Sequence, residues 1–171
     1  MLEIFNNMKP FFMDCYRKIN VREYARIANI SPPSSSKLLK ELYKEGLLNK
    51  EEEKNYIYYL ANKESKIFVE LSRLYWFQEL KKSGLIDYFE KEFISPLIIL
   101  YGSLSKAEVT QKSDVDLVIF SITKKELNLD KFEEKLKRKI QLFTFRSKND
   151  IKNKELLNNI LNGFIISGDW F

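Results

Sequence analysis

Apolar residues recur at helical spacing from the start of the chain. Ile4, Phe5, Met8, Phe11 and Phe12 share one face of a first helix expected to end near Tyr16, and Pro10 inside it allows a kink or two short pieces. In NVREYARIANI, Asn20 is a helix cap with Glu23 as its capping-box partner, and Val21, Tyr24, Ala25 and Ala28 form the inner face. Residues 29 to 31 are a turn. Ser31 then caps a helix that has Pro32 at its first position and Leu38, Leu39, Leu42 and Tyr43 as its stripe, and Gly46 ends it. LLNKEEEKNYIYYLA alternates as two short strands around a charged turn from residue 50 to 55.

Residues 62 to 82 carry a long amphipathic pattern through Ile67, Phe68, Leu71, Leu74, Tyr75 and Leu80. Ser83-Gly84 breaks it, and a short helix covers residues 85 to 93. Pro96 precedes an apolar strand, Leu97–Tyr101, and a second runs over Val115–Phe120. A charged helix follows at residues 130 to 139, then a third strand at 140 to 145. A last helix spans 149 to 162, stopped by Gly163, and residues 164 to 167 suit a final short strand. No internal repeat or low-complexity tract interrupts the series.

The pattern predicts an α+β chain in three parts: a head at residues 1 to 60, linking helices at 61 to 94, and a small mixed sheet with flanking helices at 95 to 171. The linking helix at 62 to 82 suits a homodimer interface or a spacer between the other parts.

Composition narrows the chemistry. Of 171 residues, 44% are hydrophobic and 31% charged, which suits a folded soluble chain. The net charge of +5 and pI near 9.1 permit nucleic acid as a partner without requiring it. The lone cysteine, Cys15, lies in an apolar pattern and reads as core packing. Histidine is absent, so histidine bases and histidine metal ligands are excluded. Any metal must be held by oxygen, which points to Mg²⁺ or Mn²⁺. No apolar run reaches the ~18 to 20 residues of a membrane span. The N-terminus lacks the basic segment and cleavage site of a signal peptide, so the expected location is the cytoplasm, with no membrane partner.

The head has the order of a DNA reader. A helix, a turn and a second helix with a hydroxyl-rich start would present Ser34, Ser35, Ser36 and Lys37, with Lys40 one turn on, to phosphates or base edges. Lys50 and Lys54 would lie on the following hairpin, beside Glu51, Glu52 and Glu53, which repel phosphate. NVREYARIANISPPSSSKLLKELYKEGLL resembles the winged helix-turn-helix family. The resemblance implies DNA as a partner.

The strongest chemical pattern is YGSLSKAEVTQKSDVDLVIF, residues 101 to 120. Asp114 and Asp116 are two positions apart, so in extended chain they share a face. Two adjacent carboxylates repel unless a divalent cation lies between them, and Mg²⁺ commonly shares its shell with substrate phosphates. Gly102 permits a sharp turn and close backbone approach to a ligand, and Ser103 adds a hydroxyl at the start of a short helix.

LIILYGSLSKAEVTQKSDVDLVIF resembles the nucleotidyltransferase superfamily that includes DNA polymerase beta, in its minimal form. The resemblance implies Asp114 and Asp116 as catalytic metal ligands, and Gly102 and Ser103 as holders of a nucleoside triphosphate. It also implies transfer of a nucleoside monophosphate to a hydroxyl with release of pyrophosphate. Minimal members include antitoxins that nucleotidylate a protein, which adds a protein partner to the expected set.

Two departures stand out. The stretch Lys106-Ala107-Glu108 lacks the family's usual second glycine. The next core strand, KIQLFTF, carries Gln141 where the resemblance expects a third carboxylate, and a neutral amide cannot deprotonate an attacking hydroxyl. Glu133 and Glu134 are near in sequence, on a helix whose charges are expected to face solvent. Two functions follow: a transferase with a DNA-binding head, or a winged-helix transcriptional regulator whose degenerate transferase domain senses a nucleotide or binds a partner.

Overall fold

Helix α1 (Leu2–Met13) continues through Pro10 as one helix. A proline inside a helix costs ~3 kcal/mol. Met8, Phe11 and Phe12 are fully buried, and side chains of that size contribute about 1.5–3 kcal/mol each on burial, so packing outweighs the break. The helix stops three residues before Tyr16, whose amide donates to the Asp14 side chain at 3.1 Å. The computed structural model describes residues 2 to 123 and 125 to 170.

Strand β1 (Ile19–Asn20) is too short to leave a periodic signal and was not expected. Asn20 caps α2 (Val21–Ala28), accepting the Glu23 amide at 2.9 Å. The reciprocal half of the expected capping box is replaced, because the Glu23 carboxylate takes the Arg17 guanidinium at 2.6 Å. On α2 Tyr24 and Ala25 are buried, while Val21 and Ala28 are half-buried. The Tyr24 ring stacks on Phe11, and its hydroxyl donates to the Asn7 carbonyl.

Ser31 caps α3 (Pro32–Lys44), as its position beside Pro32 suggested. The inward face is Ser35, Leu39 and Leu42, one turn apart in succession. Leu38 and Tyr43 sit about 100° round the helix from that line, so Leu38 is half-buried and Tyr43 largely exposed. Strands β2 (Leu48–Glu53) and β3 (Tyr56–Ala61) form a hairpin whose turn is only Lys54-Asn55, both at positive φ (48° and 67°). That is the turn conformation whose twist suits a two-residue hairpin. Lys50 to Glu53 are therefore strand, not turn. The three strands pair antiparallel in the order β1-β3-β2.

Two compact units divide the chain: residues to Ser72 with Ala107–Gln111, and Arg73–Lys106 with residues from Lys112 onward. Helix α4 (Lys66–Ser83) begins in the first and ends in the second. Its buried side chains include Phe68, Tyr75, Trp76 and Leu80, whereas Ile67 and Leu74 of the expected stripe are exposed. Gly84, at φ 84°, separates α4 from α5 (Leu85–Glu92).

The second unit is built on a four-stranded mixed sheet, order β6-β5-β4-β7. Strand β4 (Leu97–Tyr101) is buried along its whole length and pairs antiparallel with β5 (Val115–Phe120) and β7 (Phe164–Ser167). Strand β6 (Ile140–Phe145) lies parallel to β5, reached through α7 (Asp130–Leu136). Helix α7 is shorter than expected because Lys137 turns into the left-handed region, at φ 54°.

Helix α6 (Gly102–Lys106) joins β4 toward β5. The expected last helix is split into a 3-10 turn, Lys148–Asp150, and α8 (Lys154–Leu161), because Ser147 and Asn153 each cap a separate start. Leu97, Ile99, Tyr101, Val118 and Phe120 on one sheet face pack with Ile151 and with Ile160 of α8. The architecture is thus α+β with two small sheets. No helix among the described residues is long and apolar enough to cross a membrane.

Candidate functional site

Register places the key residues side by side. Tyr101 at the end of β4 is the partner of Asp116 on β5, and Asp116 is in turn the partner of Gln141 on β6. Asp116 shares parity with Val118 and Phe120, so it stands at the end of the face that α8 covers. Gly102 follows Tyr101 directly, at φ 69°. A Cβ built on Gly102 would lie 2.1 Å from Asp116 Oδ2 and 2.9 Å from its Cγ. The glycine is thus required twice, by its backbone conformation and by the carboxylate against it.

Asp114 stands just before β5 and is exposed. The Asp116 carboxyl titrates above its ordinary 3.8, first because burial disfavours its charge and second because Asp114 repels it. The two acids are close enough to oppose each other, which is the condition a bridging cation relieves. Tyr101 feels the same field: burial, then Asp116, pushes its hydroxyl up to about 12. Ser103 is half-buried. Ser105 is fully buried and its hydroxyl donates to the Gly102 carbonyl at 2.9 Å, fixing the turn from within.

Gln141 is exposed on the edge strand, next to Asp116. Among the described residues no other acid joins Asp114 and Asp116 in a group of three. Glu133 is committed, with Oε2 2.6 Å from Lys139 Nζ and Oε1 accepting the Ile140 amide at 2.9 Å. The Lys139 ammonium and that amide hold its carboxyl below the ordinary range. Glu134 is exposed. Among the described residues no group of three or more His, Cys, Asp or Glu side chains gathers at one point. Asp114 and Asp116 alone could hold a hard cation only if its remaining ligands came from substrate oxygens or water.

A family model for polymerase beta nucleotidyltransferases matches residues 83 to 168. The chain belongs to the polymerase beta nucleotidyltransferase family. The match covers all four strands of the second unit and both halves of the Gly-Ser and Asp-x-Asp pattern. No curated protein and no solved structure matches the chain. The second unit also contains two residues that sequence reasoning passed over. Arg73 Nε donates to the Ser105 carbonyl at 2.7 Å, and Arg138 Nη1 donates to the Ser113 carbonyl at 2.5 Å. Their partners are backbone atoms 32 and 25 residues away, which no motif spacing reveals.

In the first unit the seven basic and hydroxyl residues read as DNA contacts divide. Lys37, Lys40, Lys50 and Lys54 are exposed and Ser36 is half-buried. Ser34 is exposed and its hydroxyl shares a hydrogen bond with the Ser31 hydroxyl at 2.8 Å. Ser35 is fully buried, its hydroxyl donating to the Val21 carbonyl at 2.8 Å, so it ties α3 to α2 and is not offered to a ligand. The acids beside Lys50 are partly neutralised, because Lys18 bridges Glu51 and Glu53.

Proposed function

We propose that the second unit binds a nucleoside triphosphate with Mg²⁺ or Mn²⁺ and that transfer is slow or absent in the native protein. One observation carries this reading: Asp116 lies between the Gly102 turn and Gln141. Asp114 and Asp116 would hold the cation, and Gly102 and Ser103 would accommodate the phosphates. The cation, when bound, neutralises phosphate charge and orients the triphosphate. The chain's own contribution is to keep two carboxylates together and to let phosphates approach the backbone at a residue without a side chain. Gln141 supplies no base for an attacking hydroxyl at the rung beside Asp116.

The first unit would then be a winged helix-turn-helix head that reads DNA through Ser34, Ser36, Lys37 and Lys40 on α3 and Lys50 and Lys54 on the hairpin. The helix-turn-helix order, the two-residue hairpin turn and the Lys18 bridges to the hairpin acids support it. The protein would act as a regulator that couples DNA with a nucleotide. The intact Asp-x-Asp pair favours a second reading, a working transferase acting on a protein or nucleic-acid hydroxyl.

Transfer of label from α-labelled nucleotides to RNA or to co-purified protein separates the two. The native protein should transfer little or none, and Gln141→Asp should raise transfer at least tenfold, as expected when a missing general base is restored. Vigorous native transfer that Gln141→Asp leaves unchanged would establish the enzyme reading.

A further inference from the structure

Two arginines tie down the chain on either side of the segment that joins the two halves of the site. Arg73, on α4, holds the Ser105 carbonyl, three residues after Gly102. Arg138 holds the Ser113 carbonyl, the residue before Asp114. The Arg138 guanidinium lies over the Trp76 ring at 4.8 Å from its centroid, and Trp76 is on α4 one turn beyond Arg73. Both ties therefore lead back to one helix. Next to Arg138, the Lys139 carbonyl accepts the Val115 amide at 2.8 Å. Residues 138 and 139 thus grip the backbone before and after Asp114.

Arg138 is only 6% exposed. Withdrawing a guanidinium from water is unfavourable, and the Ser113 carbonyl and the Trp76 ring face offset part of that cost here. Asp114 and Asp116 repel each other, so without a cation the Asp114 end of the loop is driven outward. The arginine ties oppose that motion. A loop that stays in place before the cation arrives loses less freedom on binding and binds more tightly.

We propose that Arg138, with Arg73, is a positioning residue that holds the Asp-x-Asp loop and the Gly102 turn in their metal-binding arrangement before any cation is bound. The inference rests on the reading of Asp114 and Asp116 as cation ligands. Its test separates the two. Mn²⁺ is titrated into the full chain, with free Mn²⁺ counted by electron paramagnetic resonance, for native protein, Asp116→Asn, Arg138→Met, Arg138→Lys and Arg73→Met. Ile151→Val, a core change that leaves both arginine ties in place, serves as a stability control. Amide hydrogen exchange at residues 113 to 116 is followed without metal in the same proteins.

Arg138→Met should bind Mn²⁺ about tenfold more weakly, in the range seen when a residue supporting a metal ligand is removed. Arg138→Lys should recover part of that loss and Arg73→Met should show a smaller one. Exchange at Val115 should quicken in Arg138→Met. If Arg138→Met does not fold, Arg138→Lys and Arg73→Met carry the test. Native-like Mn²⁺ affinity in the folded arginine variants, with Asp116→Asn unable to bind, overturns the positioning role and leaves the site reading standing. Affinity losses that merely follow melting temperature, as in Ile151→Val, also overturn it. A native protein that binds no Mn²⁺ removes the site reading and this inference together.

Discussion

Gly102→Ala asks alanine to adopt φ 69° and brings a methyl group to 2.1 Å from Asp116 Oδ2. The left-handed conformation alone costs ~1–2 kcal/mol, and the Asp116 side chain must also leave its place. Denaturant unfolding should show a loss of about 1–3 kcal/mol, and Mg²⁺-ATP binding should fall as far as in Asp116→Ala. Native-like binding in Gly102→Ala would put the ligand elsewhere. Ala107 is the instructive contrast. It stands in the stretch where the resemblance expected a glycine, and its φ is 55°. The strain of ~1–2 kcal/mol is partly offset by complete burial of its methyl group, worth ~0.8 kcal/mol. The backbone bend survives without the glycine that would have advertised it.

Asp116 gives a pH signature with a definite sign. Its carboxyl titrates above the ordinary 3.8 in the folded chain, through burial and then Asp114. The folded state holds the proton more tightly than the unfolded state, so this group's contribution to stability falls as pH rises from the ordinary value through the folded one. Asp116→Asn should therefore be more stable than native protein at pH 7 without metal, and the advantage should vanish below the ordinary value. Added Mg²⁺ should stabilise the native protein and not Asp116→Asn. Unfolding curves at pH 7 and near pH 3.5 check this; a difference that is constant with pH contradicts it.

At the level of elements, α3 shows what hydrophobic patterning can and cannot tell. Its cap, its proline start and its length were readable from Ser31-Pro32 and Gly46. Its inward face was not, because Ser35 points inward and bonds the Val21 carbonyl, while Tyr43 is 47% exposed. A polar residue satisfied by a carbonyl fourteen positions away leaves no trace in an apolar stripe. Ser35→Ala should cost about 1 kcal/mol of stability and should not alter the salt dependence of DNA binding. Lys37→Ala and Lys40→Ala should each weaken binding across sequences and lower the slope of log affinity against log salt by about 1. Fluorescence anisotropy with a selected genomic fragment measures both, and unchanged slopes would take α3 off the DNA. Strands were easier to read: β4 is a continuous apolar run, β5 and β6 are apolar apart from Asp116, Gln141 and Thr144, and the alignment of Gln141 with the Asp-x-Asp motif follows from the parallel register of β5 and β6. The two-residue β1 and the arginine ties were out of reach, since pairing and backbone hydrogen bonds depend on residues distant in sequence.

At the level of the whole molecule, the nucleotidyltransferase domain, proposed to bind a nucleotide, carries an amide at the rung beside Asp116. The Gly-Ser step, the Asp-x-Asp pair and the family match agree on the domain. Gln141 and the commitment of Glu133 to Lys139 and the Ile140 amide argue against rapid turnover. The basic charge of +5 and the exposed lysines of the first unit are consistent with a DNA-bound regulator that responds to nucleotide. Calorimetric titration of the full chain with ATP in the presence of Mg²⁺ tests the centre of this account. Saturable heat with the native protein, lost in Asp116→Ala and absent without Mg²⁺, is the predicted result. No heat with the native protein, or equal binding by Asp116→Ala, would contradict it.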